Sequence, residues 1–184
     1  ALDDSQCKMR RIGTAHLNEV MNDYDLLPVN NYKYGRHMDI GEIEGEEYRK
    51  LFTQGMPDGC WYGCSMACAK AADDFELTTG PCKGQKVIVD GPEYETAAGM
   101  GTNVGVFDPR WTIEANFYAD HYGLDTISLG TGFAFVCECF ELGLINIKDT
   151  NGLELKFGAK GPLLELLHRM AAGTDEFANI VGKG

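Results

Sequence analysis

Three thiols fall within nine residues of this chain: Cys60, Cys64 and Cys68, in the pattern C-x3-C-x3-C. Thiolates are soft donors suited to zinc or an iron–sulfur cluster, whereas carboxylates and carbonyls suit harder metals. Were the segment helical, successive sulfurs would step one turn plus about 40° and rise ~6 Å, spreading the outer pair by ~12 Å. A compact metal group therefore needs a bend, a non-helical Cys60 end or a different ligand subset, and Gly59 and Gly63 permit bending. A 4Fe-4S cluster would also need a further ligand, from Cys7, Cys82 or a cysteine outside this chain. Zinc and buried free thiols are the competing readings. Seven cysteines cannot all pair internally, and their spacing favours metal or cluster chemistry over a disulfide framework.

Carboxylates form the second set. Asp120 and Asp125 bracket Tyr122-Gly123-Leu124; between two helices, Gly123 can reverse the chain and turn both acids toward one pocket. There they could accept hydrogen bonds from a nitrogen-rich heterocycle. Asp125 can equally cap the following helix, while Asp120, in a last turn, opposes the helix dipole unless another interaction compensates it. In Pro92-Glu93-Tyr94-Glu95 a helix starting after Pro92 points Glu93 and Glu95 in different directions. Either acid is then a candidate for proton transfer or for capping. Glu165-x-x-His168 places a carboxylate and an imidazole on one helical face, compatible with a metal or a simple hydrogen-bonded pair. Cys137 and Cys139 fall on different helical faces, so core packing of at least one is expected.

The elements that must position these groups read as mostly helical. A helix is expected over Thr14 to Asn22, capped by Thr14 and limited by Pro28, and a second over Ile43 to Gln54. Phe75 to Val89, interrupted by Gly80-Pro81, fits a hairpin or irregular loop. Asp108-Pro109 opens a helix that Gly123 ends; another runs from Asp125 or Ser128 to Glu141, with Gly143 beyond. A last pair covers Pro162 to Ala172 and Asp175 to Val181, split by Gly173. The expected fold class is mainly α, a compact helical domain with a small hairpin or irregular excursion after the cysteine segment. Residues 1–184 are read as one such domain or as a fragment of a larger enzyme.

Composition is that of a globular chain, at 44% hydrophobic and 24% charged over 184 residues. A formal charge of −12 argues against a nucleic-acid or anionic-membrane surface. The apolar stretch Leu129 to Ile145 contains Glu138 and Glu141 and reads as a buried helix rather than a membrane span. Without a basic leader and cleavage site, the expected location is cytoplasmic.

Gly91-Pro92-Glu93-Tyr94-Glu95-Thr96, then Gly101-Thr102-Asn103, then Asp120-His121-Tyr122-Gly123-Leu124-Asp125-Thr126-Ile127-Ser128 resemble, in that order, successive signatures of the tungsten-dependent aldehyde ferredoxin oxidoreductase family. The resemblance runs from about Gly13-Thr14 through Leu144-Ile145. It implies an internal, cofactor-contacting segment of a larger enzyme with a tungsten–bis-pterin cofactor beside a 4Fe-4S cluster. Asp120, Gly123, Leu124 and Asp125 match the pterin-binding D-x-x-G-L-D pattern, and Glu95 takes the place of the acid that assists proton transfer near tungsten. The family's cysteine pattern is C-x2-C-x3-C with a distant fourth ligand. Cys64 and Cys68 match its second half, whereas Trp61 stands at the first position and Cys60 one residue earlier. Glu165 and His168 resemble an E-x-x-H pair near a mononuclear metal between subunits, which would imply a homodimer. The implied reaction is oxidation of aldehydes to carboxylic acids, with the remaining domains of the parent and ferredoxin or another electron-transfer protein as partners. A related aromatic acyl-CoA reductase is the alternative within the family; a non-enzymatic helical zinc-binding or interaction module is the alternative outside it.

Overall fold

A computed structural model describes residues 7–54, 58–173 and 175–183. The helices are α1 (Lys8–Ile12), α2 (Leu17–Asp23), α3 (Gly45–Arg49), α4 (Tyr94–Gly99), α5 (Pro109–Tyr122), α6 (Thr126–Glu141), α7 (Lys160–Ala172) and α8 (Glu176–Val181). Strands β1 (Ala71–Glu76) and β2 (Lys86–Asp90) pair antiparallel into one hairpin, so the fold is mainly helical with a small two-stranded excursion.

Helix α5 is the centre of the packing. Asp108 accepts from the amides of Arg110 (3.0 Å) and Trp111 (3.3 Å), and Pro109 fills a first-turn position that has no intrahelical amide to lose. Gly123, at φ 72°, ends the helix in the left-handed conformation. Between these signals Trp111, Ile113, Ala115, Tyr118 and Ala119 are buried. Helix α6 brings Leu129, Phe133, Ala134, Val136 and Cys137 to the same core, and α7 brings Leu163, Leu164, Leu166 and Leu167. Burying each large apolar side chain is worth roughly 1.5–3 kcal/mol before conformational entropy is charged. Cys137 is buried and Cys139 is only partly so, as their opposite helical faces require.

The hairpin packs on α5 and pairs Ala71 with Asp90, Ala72 with Val89 and Phe75 with Val87. A bulge between Ala72 and Phe75 accommodates Asp74 at φ 56° and keeps Ala72, Phe75 and Val89 buried. A smaller apolar group of Leu27, Val29 and Ala98, with Tyr94 against it, joins the N-terminal region to α4.

Two helices are shorter than their sequence patterns suggest. Thr14 begins a 3-10 turn (Thr14–His16) ahead of α2, and its hydroxyl is drawn to another helix instead of capping its own. The stretch Ile43 to Gln54 is helical only as α3, because the amides of Thr53 and Gln54 both turn to the carbonyl of Ala71 at the start of β1. Among the described residues, no helix is long and apolar enough to cross a membrane.

Candidate functional site

The chain from Asp90 to Tyr94, just ahead of Glu95, is held from two sides by side chains distant in sequence. On one side, Asn116 of α5 donates from Nδ2 to the carbonyl of Asp90 (2.8 Å) and to Oδ2 of Asp120 (3.4 Å). On the other, the Thr14 hydroxyl donates to Glu93 and accepts from the amide of Tyr94 (2.8 Å). Thr14 thus supplies from a distant turn the cap that Glu93, the residue before α4, does not make with its own side chain. Glu95 follows in the first turn of α4, exposed on the surface of this chain.

Helices α4 and α6 touch through small residues. A Cβ on Gly130 would lie 2.6 Å from the carbonyl carbon of Gly99, so this crossing excludes any side chain at Gly130. The close approach lets the hydroxyls of Thr96 and Thr126 bond at 2.7 Å. Thr96 follows Glu95 and Thr126 follows Asp125, so one hydrogen bond ties the two candidate acids to neighbouring helix starts.

Asp120 and Asp125 stand on either side of the Gly123 reversal, which is closed by the Leu124 amide on the carbonyl of Ala119 (2.8 Å). Leu124 is partly buried against the core and anchors the turn. Asp125 caps α6 by accepting from the Ser128 amide at 2.7 Å, and this bond holds its carboxyl below the ordinary value. Asp120 differs: partial burial, and then the nearby Asp90 carboxylate, push its carboxyl up.

The cysteine segment is irregular, with no helix between Asp58 and Lys70. Its ends meet where the Ala69 amide bonds the carbonyl of Asp58 (3.1 Å). Arg10 of α1 donates to the carbonyl of Ser65 (2.6 Å), the Cys7 thiol donates to the Met66 sulfur (3.3 Å), and the Lys70 ammonium donates to the carbonyls of Ala67 (3.0 Å) and Ala69 (2.9 Å). Cys64 and Cys68 are half-buried and Cys60 is exposed. Burial, then the charges of Glu93, Cys60 and Cys64, raise the Cys68 thiol, so the three sulfurs share one electrostatic neighbourhood beside Glu93 and Lys70. Soft donors near a cation fit an anionic iron–sulfur group in kind. In number they fall short: among the described residues, no set of three or more His, Cys, Asp or Glu side chains is gathered closely enough to hold a metal ion. Of the other cysteines, Cys7 lies against this loop, while Cys82 has its amide on the Tyr118 hydroxyl (3.3 Å) in the hairpin turn.

Glu165 and His168 line one cavity with Asn151, Arg169 and Asp175, and each has its own hydrogen-bond partners. Glu165 pairs with Arg169 at 2.8 Å, whereas the His168 ring turns inward, Nδ1 to the Tyr122 hydroxyl (2.9 Å) and Nε2 to that of Thr79 (3.2 Å). Beside it, Glu114 is 3% exposed and accepts four bonds from the amides and hydroxyls of Thr78 and Thr79, at 2.6–3.0 Å. Glu114 and Asn116 were missed as positioning residues in the sequence. Both are polar residues within a run of α5 that is buried all round, and Asn116 stands one turn before Asp120.

The family described as aldehyde ferredoxin oxidoreductase, domains 2 and 3, matches residues 2–184. The chain is 33% identical over 178 residues to the tungsten-containing aldehyde ferredoxin oxidoreductases of Pyrococcus horikoshii and Pyrococcus abyssi, covering 95% of this chain and 27% of each relative's length. It is also 37% identical over 107 residues to an aliphatic sulfonate oxidoreductase, WOR-like subunit, of Pyrococcus furiosus, covering 58% of this chain and 16% of that protein. The chain thus spans about a quarter of the curated relatives' length. Order of motifs and similarity over nearly the whole chain agree: this chain belongs to the tungsten-containing aldehyde ferredoxin oxidoreductase family.

Proposed function

We propose that this chain is the cofactor-contacting part of an enzyme that oxidises aldehydes to carboxylic acids. Asp120 and Asp125 would hold a pterin, and Cys64 and Cys68, with Cys60 where the loop permits, would supply thiolates to a 4Fe-4S cluster completed by ligands from the rest of the parent. Such groups supply two-electron chemistry at tungsten and single-electron transfer to ferredoxin or another electron-transfer protein.

The observation that carries this reading is the fixing of the chain from Asp90 to Tyr94, just ahead of Glu95, by Thr14 and Asn116. Thr14 fixes the start of α4 and turns Glu93 toward the cysteine side, leaving Glu95 free of any cap. The Thr96–Thr126 bond ties the first turn of α4, which carries Glu95, to the first turn of α6, which Asp125 caps. Glu95 then accepts or returns a proton at its carboxylate, while Asn116 orients Asp120 to accept hydrogen bonds from the heterocycle.

The test is anaerobic purification of the full-length enzyme, with tungsten, iron and pterin analysis and assay of aldehyde oxidation. Both metals should be present, and Glu95→Gln should retain them while turnover falls by about 10²–10⁴-fold, the usual contribution of a positioned acid or base. Zinc alone, or neither metal, would defeat the oxidoreductase reading. Full turnover by Glu95→Gln across pH would defeat the proton role alone.

A further inference from the structure

Helix α6 has the composition of an interior helix, although one side of it is bare. No charged residue occurs from Thr126 to Cys137, and Glu138 and Glu141 alone carry charge in the rest of the helix. A helix at a protein surface ordinarily sets a polar, charged face against its apolar stripe, as α7 does by burying four leucines and exposing Lys160 and Glu165. A helix without such a face belongs inside a larger protein or in a membrane. At 16 residues with two glutamates, α6 is not long and apolar enough to cross a membrane.

This chain covers one side of α6. Gly130 lies against Gly99 of α4, Phe133, Ala134 and Cys137 are buried in the core, and Glu138 accepts from Nδ2 of Asn31 (2.6 Å). The other side is open: Ile127 is 56% exposed, Phe135 59% and Leu142, at the C-terminal end of the helix, 67%, with Thr131 exposed between the first two. At 100° and 1.5 Å per residue these three apolar positions fall within about 80° around the helix axis, in a stripe roughly 22 Å long. Single exposed apolar residues are ordinary, whereas a row of them along one helix marks an interface.

We propose that the outer face of α6 is an interface inside the parent enzyme, covered by polypeptide beyond these 184 residues that meets Ile127, Phe135 and Leu142 with apolar side chains. The chain corresponds to about a quarter of its relatives' length, so a parent of that size has ample polypeptide to cover the face. Covering it makes α6 a fully enclosed helix, in keeping with a sequence that is uncharged all round over its first three turns. The proposal rests on the reading of this chain as part of a larger enzyme and uses nothing of the reaction.

The experiment treats the full-length enzyme, carrying Ile127→Cys or Phe135→Cys, with a maleimide. Peptide mass spectrometry reads each site apart from the seven natural cysteines, and sedimentation gives the mass as the enzyme is diluted. Both sites should label at least about a hundredfold more slowly in native buffer than in denaturant, as sites reached only by local opening do, and dilution should not change this. Phe135→Asp should lower Tm by several degrees and Phe135→Leu should restore most of the loss, because a buried unpaired carboxylate is costly where a solvated one is not. Labelling at both sites as fast as in denaturant, with Tm unmoved by Phe135→Asp, overturns the proposal. Protection that disappears as a dimer dilutes to monomers also overturns it and gives the face to a second copy. A parent enzyme without tungsten or aldehyde oxidation would defeat the proposed reaction and leave this interface standing, since neither the labelling nor the Tm comparison uses cofactor or turnover.

Discussion

Thr14→Val isolates the hydroxyl on which the start of α4 depends. The substitution keeps the side-chain shape and removes two interactions: the acceptor for the Tyr94 amide at 2.8 Å and the donor to Glu93. Loss of a helix cap costs about 1 kcal/mol. A hydrogen bond to a charged group is worth roughly 1.5–3 kcal/mol, but Glu93 is only half-buried and water recovers part of that. The expected destabilisation is therefore about 2 kcal/mol, or a fall in Tm of about 4–8 °C for a chain of this size. Urea denaturation reads the global loss, and hydrogen exchange at the Tyr94 amide reads the local one. Exchange there should quicken more than in α7, which Thr14 does not touch, and Thr14→Ser should recover most of both effects. A stability change under about 0.5 kcal/mol, the range of an inert surface substitution, together with unchanged exchange at Tyr94 would refute the capping role.

Three further outcomes are expected. Gly130→Ala sets the clash against the Gly99 backbone, about 3 kcal/mol, against about 1 kcal/mol of helix propensity, for a net loss of about 2 kcal/mol by chemical denaturation. Gly132→Ala on the same helix, with nothing within 4 Å of its Cβ, should gain about 0.5–1 kcal/mol; equal effects at the two glycines would rule out the close crossing. Asp120→Asn in the full-length enzyme should lower pterin and tungsten content per chain, and equal content in variant and parent would remove Asp120 from the cofactor site. Burial lowers the His168 imidazole below 6.5, outweighing the opposing pull of Glu165 and Glu114, so the unfolded chain takes up the proton first. Its contribution to stability is full above 6.5 and is lost as pH falls through the lower folded value. His168→Gln should flatten that part of the Tm–pH curve, and an identical curve in variant and parent would deny His168 any share in it.

Local signals carried the long helices. Asp108-Pro109, Gly123, Asp125 and Gly173 act through backbone geometry and capping within a few residues, so they read the same in the sequence as in the fold. The motif order and the Cys64/Cys68 spacing likewise pointed to a family without any knowledge of contacts. Short elements were less legible. The pattern from Ile43 to Gln54 is helical, but the carbonyl of Ala71 wins the amides of Thr53 and Gln54, a competition between segments that no local window contains.

The sequence by itself determined which residues had the right chemistry: thiols at Cys60, Cys64 and Cys68, and carboxylates at Glu95, Asp120 and Asp125. Only the tertiary structure decided what holds the backbone around them. Thr14 lies 79 residues from Glu93, and Asn116 lies 26 from Asp90, yet their hydrogen bonds fix the chain between Asp90 and Tyr94, just ahead of Glu95. Glu165 and His168 line one cavity, yet the imidazole bonds Tyr122 and Thr79 while the carboxylate bonds Arg169. The physical reason is one of range: caps and periodicity act within a turn or two, whereas a buried polar group takes whichever partner the packed core brings to it.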